Sequence, residues 1–182
     1  MSKIWFTSDL HLCHDRDFVW KARGFKNITE MNRAIWKNWR DLVSYDDDVY
    51  VLGDLMLNDN DTAIALIKTL PGKIHVILGN HDTSARINLY RSCHNIVEVE
   101  YGKPFEYKGY HFFLSHYPTL TANGDDGKPL NRRVINLCGH THTEDAFLDW
   151  DKGLIYHVEV DAHDNKPVLI DDILEQIKGK ID

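Results

Sequence analysis

Of the 11 histidines in this chain of 182 residues, five fall in short polar clusters that also hold Asp9, Asp54, Asn80 and Asp82. The clusters are Asp9-X-His11, Gly53-Asp54, Gly79-Asn80-His81-Asp82, Ser115-His116 and Gly139-His140-X-His142. Asp9, His11, Asp54, Asn80, His116, His140 and His142 together form a set of oxygen and imidazole donors without a thiolate. Such donors suit manganese, iron, zinc, cobalt or nickel. Seven exceed what one catalytic ion with an open position can use. They suit two ions ~3.5–4 Å apart if one carboxylate bridges them. Such a pair can clamp a phosphate, convert a bridging water to hydroxide near neutral pH and offset charge on phosphoryl oxygens.

Residues spread over more than 130 positions must be gathered by the fold. Each cluster follows a short apolar run that reads as a buried strand: Lys3–Thr7, Asp48–Leu52, Lys73–Leu78, Tyr110–Leu114 and Arg133–Cys138. Between the first three lie helical patterns. Ile35, Trp39, Leu42 and Val43 share one face of a segment that Thr29 is placed to cap. Ala63, Ile64, Leu66, Ile67 and Leu70 form a second stripe, opened by Asn60 or Asp61 and stopped by Pro71-Gly72. This βαβαβ order implies parallel strands. The second half is strand-rich, with a hairpin across Pro104–Leu114 turning at Lys108-Gly109, a strand at Leu154–Val160 and a closing helix over Asp171–Lys178. Ligand sites of open α/β sheets lie beyond the carboxyl ends of the strands, so five strand ends are expected to meet at one histidine-rich site. A turn after Gly139 is needed for His140 and His142 to reach neighbouring ions, because an extended His-X-His points its side chains apart.

Composition narrows the class. The length suits a single domain over residues 1–182, and 43% apolar with 27% charged residues is a globular balance. A net charge of −7 argues against an extended nucleic-acid surface. No apolar run approaches the ~20 residues of a membrane span. The N-terminus reaches Asp9 too soon for a signal peptide, so a cytoplasmic protein is expected. Cys13, Cys93 and Cys138 are too few and too dispersed for a disulfide framework.

The five clusters, in this order and strand context, resemble the ordered motifs of the calcineurin-like metallophosphoesterases. Within that family the chain is most similar to the small prokaryotic and phage-type branch that lacks a cap domain. Ser8–His14 resembles its opening segment, with Cys13 where glycine is usual, and Ser115-His-Tyr-Pro118 and Val158-Glu-Val-Asp161 also match. His157 departs from an expected asparagine. The resemblance implies a four-layer α/β/β/α sandwich of two mixed sheets. It implies one divalent ion on Asp9, His11, Asp54 and His142, and another on Asp54, Asn80, His116 and His140, with Asp54 bridging. Manganese is the first expectation, and iron, zinc, nickel or cobalt also fit. By the same resemblance, His81 steadies the transferring phosphoryl group or protonates the leaving oxygen, and Asp82 fixes the His81 tautomer.

The expected activity is hydrolysis of a small, nucleotide-like phosphate ester by metal-bridging hydroxide. An uncapped, open site favours a diester; the alternatives are a phosphomonoesterase and a non-catalytic metal-binding scaffold. For substrate contacts His14 is a candidate, and Arg86 is the first choice of phosphate-clamping arginine ahead of Arg16, Arg23, Arg132 and Arg133. The loop Thr119–Asn131 is a candidate for shaping access, and His75 for a packed core histidine. Oligomeric state is not legible.

Overall fold

A computed structural model describes residues 2–121 and 127–181 of the chain. The first sheet holds β1 (Ile4–Thr7), β2 (Asp48–Val51), β3 (Lys73–Ile77), β4 (Ile96–Glu100) and β9 (Val168–Leu169), in the order β4-β3-β2-β1-β9. Its first four strands are parallel and β9 is antiparallel. The second sheet holds β5 (Lys103–Tyr107), β6 (Tyr110–Leu114), β7 (Val134–Cys138) and β8 (Ile155–His157) in that order, with β5 antiparallel and the rest parallel. The helices are α1 (Asp17–Trp20), α2 (Ile28–Leu42), α3 (Asn60–Ile67), α4 (Ser84–Arg91), α5 (Trp150–Gly153) and α6 (Ile170–Ile181).

Two apolar cores set the layers. Met31, Ile35 and Trp39 of α2 and Ala63, Ile64 and Ile67 of α3 bury against Val49, Val51, Ile74 and Val76 on one face of the first sheet. The opposite face offers Phe6, Tyr50, Leu52 and Ile77 to Phe112, Leu114, Ile135, Leu137 and Tyr156 of the second sheet. Ile173, Leu174 and Ile177 of α6 join this second core. Asp171 reaches Tyr107, Gln176 accepts from Tyr156 and Lys178 lies over Tyr110. The result is the α/β/β/α sandwich of two mixed sheets.

Local details correct the sequence reading. Asn27, not Thr29, caps α2, accepting from the Glu30 N–H at 2.9 Å, and Leu42 faces solvent. Asp59 caps α3 through the Thr62 N–H, so the helix begins one residue after it. The strand expected across Leu154–Val160 spans only Ile155–His157. Leu154 takes a left-handed conformation, and Val160 starts a 3-10 turn through His163. The helix α4 and strands β4 and β9 are additions. Only Tyr90 of α4 is buried, so it carries no apolar stripe, and β9 is two residues long. His75 is partly buried and hydrogen-bonded to two carboxylates rather than packed among apolar side chains. It lies 2.9 Å from Asp48 Oδ1 and 2.8 Å from Glu98 Oε2, stacked on Tyr50 midway along β3. The hairpin matches its turn signal, with Lys108 and Gly109 both at positive φ. Of the Thr119–Asn131 loop, residues 122–126 lie outside the described residues.

Candidate metal centre

The carboxyl ends of β1, β2, β3, β6 and β7 converge, and backbone bonds lock their loops together. Asp9 N–H donates to Gly53 O, His11 N–H to Asp54 O, and Gly139 N–H to His116 O, each at 3.0 Å. Asp9, His11, Asp54, His140 and His142 hold φ of 55, 48, 55, 77 and 51°, in the left-handed region. Each non-glycine there costs of order 1–3 kcal/mol, and such strain persists only where surrounding contacts impose it. The turn expected after Gly139 is thereby present, and it aims both histidines into the centre. Cys13, at φ 63°, adopts the backbone that glycine favours.

Close approach matters most at Gly139. A Cβ there would overlap Ser8 Oγ and Asp9 Oδ2. Neither can retreat, because Ser8 Oγ also donates to Leu52 O at 2.7 Å and Asp9 Oδ2 accepts from His140 N–H at 2.8 Å. Gly139→Ala is therefore expected to cost about 1–3 kcal/mol, as overpacking of a filled interior does. Urea denaturation of the metal-free protein checks this.

The donors fall into two groups. His11 Nε2 lies 3.0 Å from His142 Nε2, 3.7 Å from Asp9 Oδ1 and 3.8 Å from Asp54 Oδ2. His142 Nε2 is 3.6 Å from Asp9 Oδ1. On the other side, His116 Nε2 lies 2.9 Å from Asn80 Oδ1, 3.2 Å from His140 Nδ1 and 3.6 Å from Asp54 Oδ2. His140 Nδ1 is 3.0 Å from Asn80 Oδ1. Asp54 Oδ2 thus borders both groups. Asp9 Oδ1 is buried without a hydrogen-bond partner. A buried carboxylate oxygen so placed is costly unless a cation meets it. The donor set and this orphaned atom fit divalent metal, and Asp9 with His11 and His142, or with Asp54 and His116, can surround an ion.

Electrostatics agree. Burial holds His11 down at about 4, outweighing Asp9. Burial, then His116, lowers His140. Both present neutral imidazoles at pH 7, the form that ligates. Burial raises Asp9, yet His11 and the surrounding histidines bring it below the usual range. Burial, with Asp9 and Asp82, raises Asp54.

The calcineurin-like phosphoesterase family matches the chain over residues 2–181. The chain belongs to this family. An uncharacterized protein of Methanocaldococcus jannaschii is 35% identical, covering 100% of this chain and 95% of its own length. The gene 66 protein of Mycobacterium phage L5 is 30% identical over 89% of this chain and 88% of its own. A protein of unknown function from Aquifex aeolicus has the same fold, with a TM-score of 0.75 at 21% identity, covering 97% of this chain and 100% of its own. The chain is accordingly a metal-dependent phosphoesterase. Among the described residues, no helix is long and apolar enough to cross a membrane.

In this calcineurin-like phosphoesterase, His81, like His142, is half-exposed at the centre. Its side chain is 40% exposed, with Nε2 3.9 Å from Asp54 Oδ2, and its N–H donates to Asp54 Oδ1 at 2.9 Å. Asp82 does not take the place expected of it. Its Oδ2 accepts from Gly79 N–H at 2.8 Å and Asp54 N–H at 3.0 Å, and its Oδ1 from Tyr90 OH at 2.6 Å. Its acceptors serve the two loops and Tyr90, so Asp82 braces the backbone that carries Asp54 rather than the His81 ring. Arg86 is likewise engaged by the protein itself, donating to His81 O at 2.5 Å and Asn60 Oδ1 at 3.2 Å. His14 is buried beside the centre, 3.3 Å from His11 Nδ1, and burial holds it down at about 4.

Two supports take roles that the sequence does not assign them: it offers Arg23 as a candidate phosphate clamp and Asp161 only within the tail motif. Arg23 donates to Asp9 O at 2.8 Å and to both oxygens of Asp161. Asp161 Oδ2 in turn lies 3.2 Å from His142 Nδ1. Burial lowers His142, but Asp161 and Asp9 raise it overall. The pairing of Asp161 with a histidine 19 positions earlier has no local signal, although its tail motif matches the family. Because a carboxylate that orients a ligating histidine typically governs affinity 10–100-fold, Asp161→Asn is expected to weaken metal binding by about that factor. Competitive chelator titration measures it. His157, the departure from asparagine, is fully buried and lies 3.1 Å from Asp149 Oδ2 and 3.1 Å from Thr141 Oγ1. Burial lowers it, but Glu159 and Asp149 raise it overall. It steadies Thr141 between the two histidines of the Gly139 turn.

Proposed function

We propose that the chain hydrolyses a small phosphodiester at two divalent ions, one on Asp9, His11, Asp54 and His142, the other on Asp54, Asn80, His116 and His140. The observation that carries this reading is Asp54 Oδ2, 3.8 Å from His11 Nε2 and 3.6 Å from His116 Nε2, at the seam of the two donor groups. Bound there, two divalent ions supply Lewis acidity and lower the pKa of water. The chain's own residues do the rest. Asp161 orients His142, and Asp82 holds the Asp54 loop. His81, half-exposed at the rim, is free to donate a proton or hydrogen bond to the leaving oxygen.

The preference for a diester is supported by the rim. Phe18 is 73% exposed against His14 on the His11 side, and Tyr117 is 50% exposed against His116 and His140 on the other. A diester carries two organic groups, and each half of the centre offers one an aromatic neighbour. A net charge of −7 favours a small ester over a nucleic-acid strand. Manganese is the first choice of metal, and the buried thiols of Cys13, Cys93 and Cys138, none in a disulfide, support a cytoplasmic setting.

The test is a paired rate assay on metal-stripped protein reloaded with Mn²⁺, using a bis-aryl phosphate diester and the matching monoester. Turnover that returns only with metal, faster on the diester, is expected. A faster monoester makes the chain a phosphatase. Two bound ions with no turnover on either ester favour the scaffold reading. Iron, zinc, nickel and cobalt are compared in the same assay.

A further inference from the structure

A cavity of about 720 Å³ opens beside the His11 and His142 half of the centre. That size suits a small organic ligand, for which sites span ~300–1,000 Å³. His11, His14, His81 and His142 line it where it meets the donors, so a group held there would be attached to a phosphate at the centre. The opposite wall is apolar, from Phe18, Val19 and Ala22 on and after α1. Phe18 stands edge-on to the His14 ring, centroids 5.9 Å apart, with 73% of its surface exposed. A free aromatic face adjoining a reaction centre is what a planar ring stacks upon.

The polar lining points to hydroxyl groups and away from anions. Glu144, Asp161 and Asp164 line the cavity, with Arg23 their one Lys or Arg counterpart there. Arg23 is not available to a ligand: its side chain is 2% exposed, and its guanidinium pairs with Asp161 at 2.8 Å. Among the described residues no Lys or Arg pairs with Glu144 or Asp164, so their oxygens remain as acceptors. Asn165, also lining the cavity, has a buried side-chain oxygen with no partner. Carboxylate and amide oxygens accept from sugar hydroxyls, as an acidic residue does for ribose in dinucleotide sites. They repel a second phosphate.

We propose that this cavity binds the nucleoside portion of an ester carrying a single phosphate, the base on Phe18 and the sugar hydroxyls toward Glu144, Asp164 and Asn165. This rests on the diesterase reading above and adds the substrate class to it.

The test compares kcat/KM for thymidine 5′-(p-nitrophenyl phosphate) with that for methyl p-nitrophenyl phosphate on the Mn²⁺-loaded chain. The nucleoside ester is expected to be favoured at least 10-fold, within what one stacked base contributes. Phe18→Ala should erase most of that preference; the exposed ring contributes little to the core, so the variant should fold. An analogue with a further phosphate on the sugar should lose at least 10-fold against the nucleoside ester. If the methyl ester is turned over as well as the nucleoside ester, or Phe18→Ala lowers both alike, the inference fails and the diesterase reading stands. If neither ester is turned over, that reading fails, and calorimetry with thymidine decides the cavity separately. Binding that Phe18→Ala weakens supports it, and no binding at millimolar thymidine overturns it.

Discussion

Asp54→Asn is expected to reduce bound metal from two ions per chain to one or none and to lower turnover by about 10³-fold. The magnitude follows from losing several kcal/mol of charge stabilisation, at one decade per ~1.4 kcal/mol. The isostere isolates charge from shape. Asparagine tolerates the left-handed backbone at this position, φ 55°, and its side-chain oxygen can still accept from His81 N–H. Its amide nitrogen then replaces Oδ2, the atom at the seam of the two donor groups, and a nitrogen that carries two protons cannot ligate.

The same substitution should make the metal-free protein more stable. Burial, with repulsion from Asp9 and Asp82, raises the Asp54 pKa in the folded state. A raised carboxylate binds its proton more tightly folded than unfolded. Its contribution is therefore intact below the unfolded pKa and is lost as pH rises through the folded one. The stability difference between variant and wild type should grow in the variant's favour across that window, by thermal melts in chelator. Unchanged metal content with wild-type turnover would remove Asp54 from its bridging place.

His81→Ala is expected to lower turnover by about 10²–10⁴-fold, the span of a positioned proton donor, while two ions per chain remain bound. The reason is geometric. His81 reaches Asp54 through its backbone N–H, which alanine keeps, and its Nε2 stands 3.9 Å from Asp54 Oδ2 at the edge of the donor groups. Being 40% exposed, the ring leaves no sealed void when removed. Metal analysis alongside single-turnover rates checks both halves. A loss of metal equal to the loss of rate would make His81 a ligand, and an unchanged rate would move proton donation to the buried His14.

The sequence by itself determined the strands that carry the donors and the chemistry of the donor set. Period and apolar runs place β1, β2, β3, β6 and β7 to within a residue or two. Parallel order sends their carboxyl ends to one place. The seven donors therefore meet, as a local pattern joined to one topological rule implies. Partners that act across the fold were decided only by tertiary structure. Asp82 follows His81 directly in the chain, yet packing of α4 against β4 hands its Oδ1 to Tyr90, and the strand loops take its Oδ2. Arg86 lies close to the centre in sequence and spends its charge on His81 O, whereas Arg23 reaches Asp161 across 138 positions. A long side chain finds its partner by where the packed backbone leaves room. Spacing along the chain therefore fixes backbone-borne donors and leaves arginine and carboxylate partners to the fold.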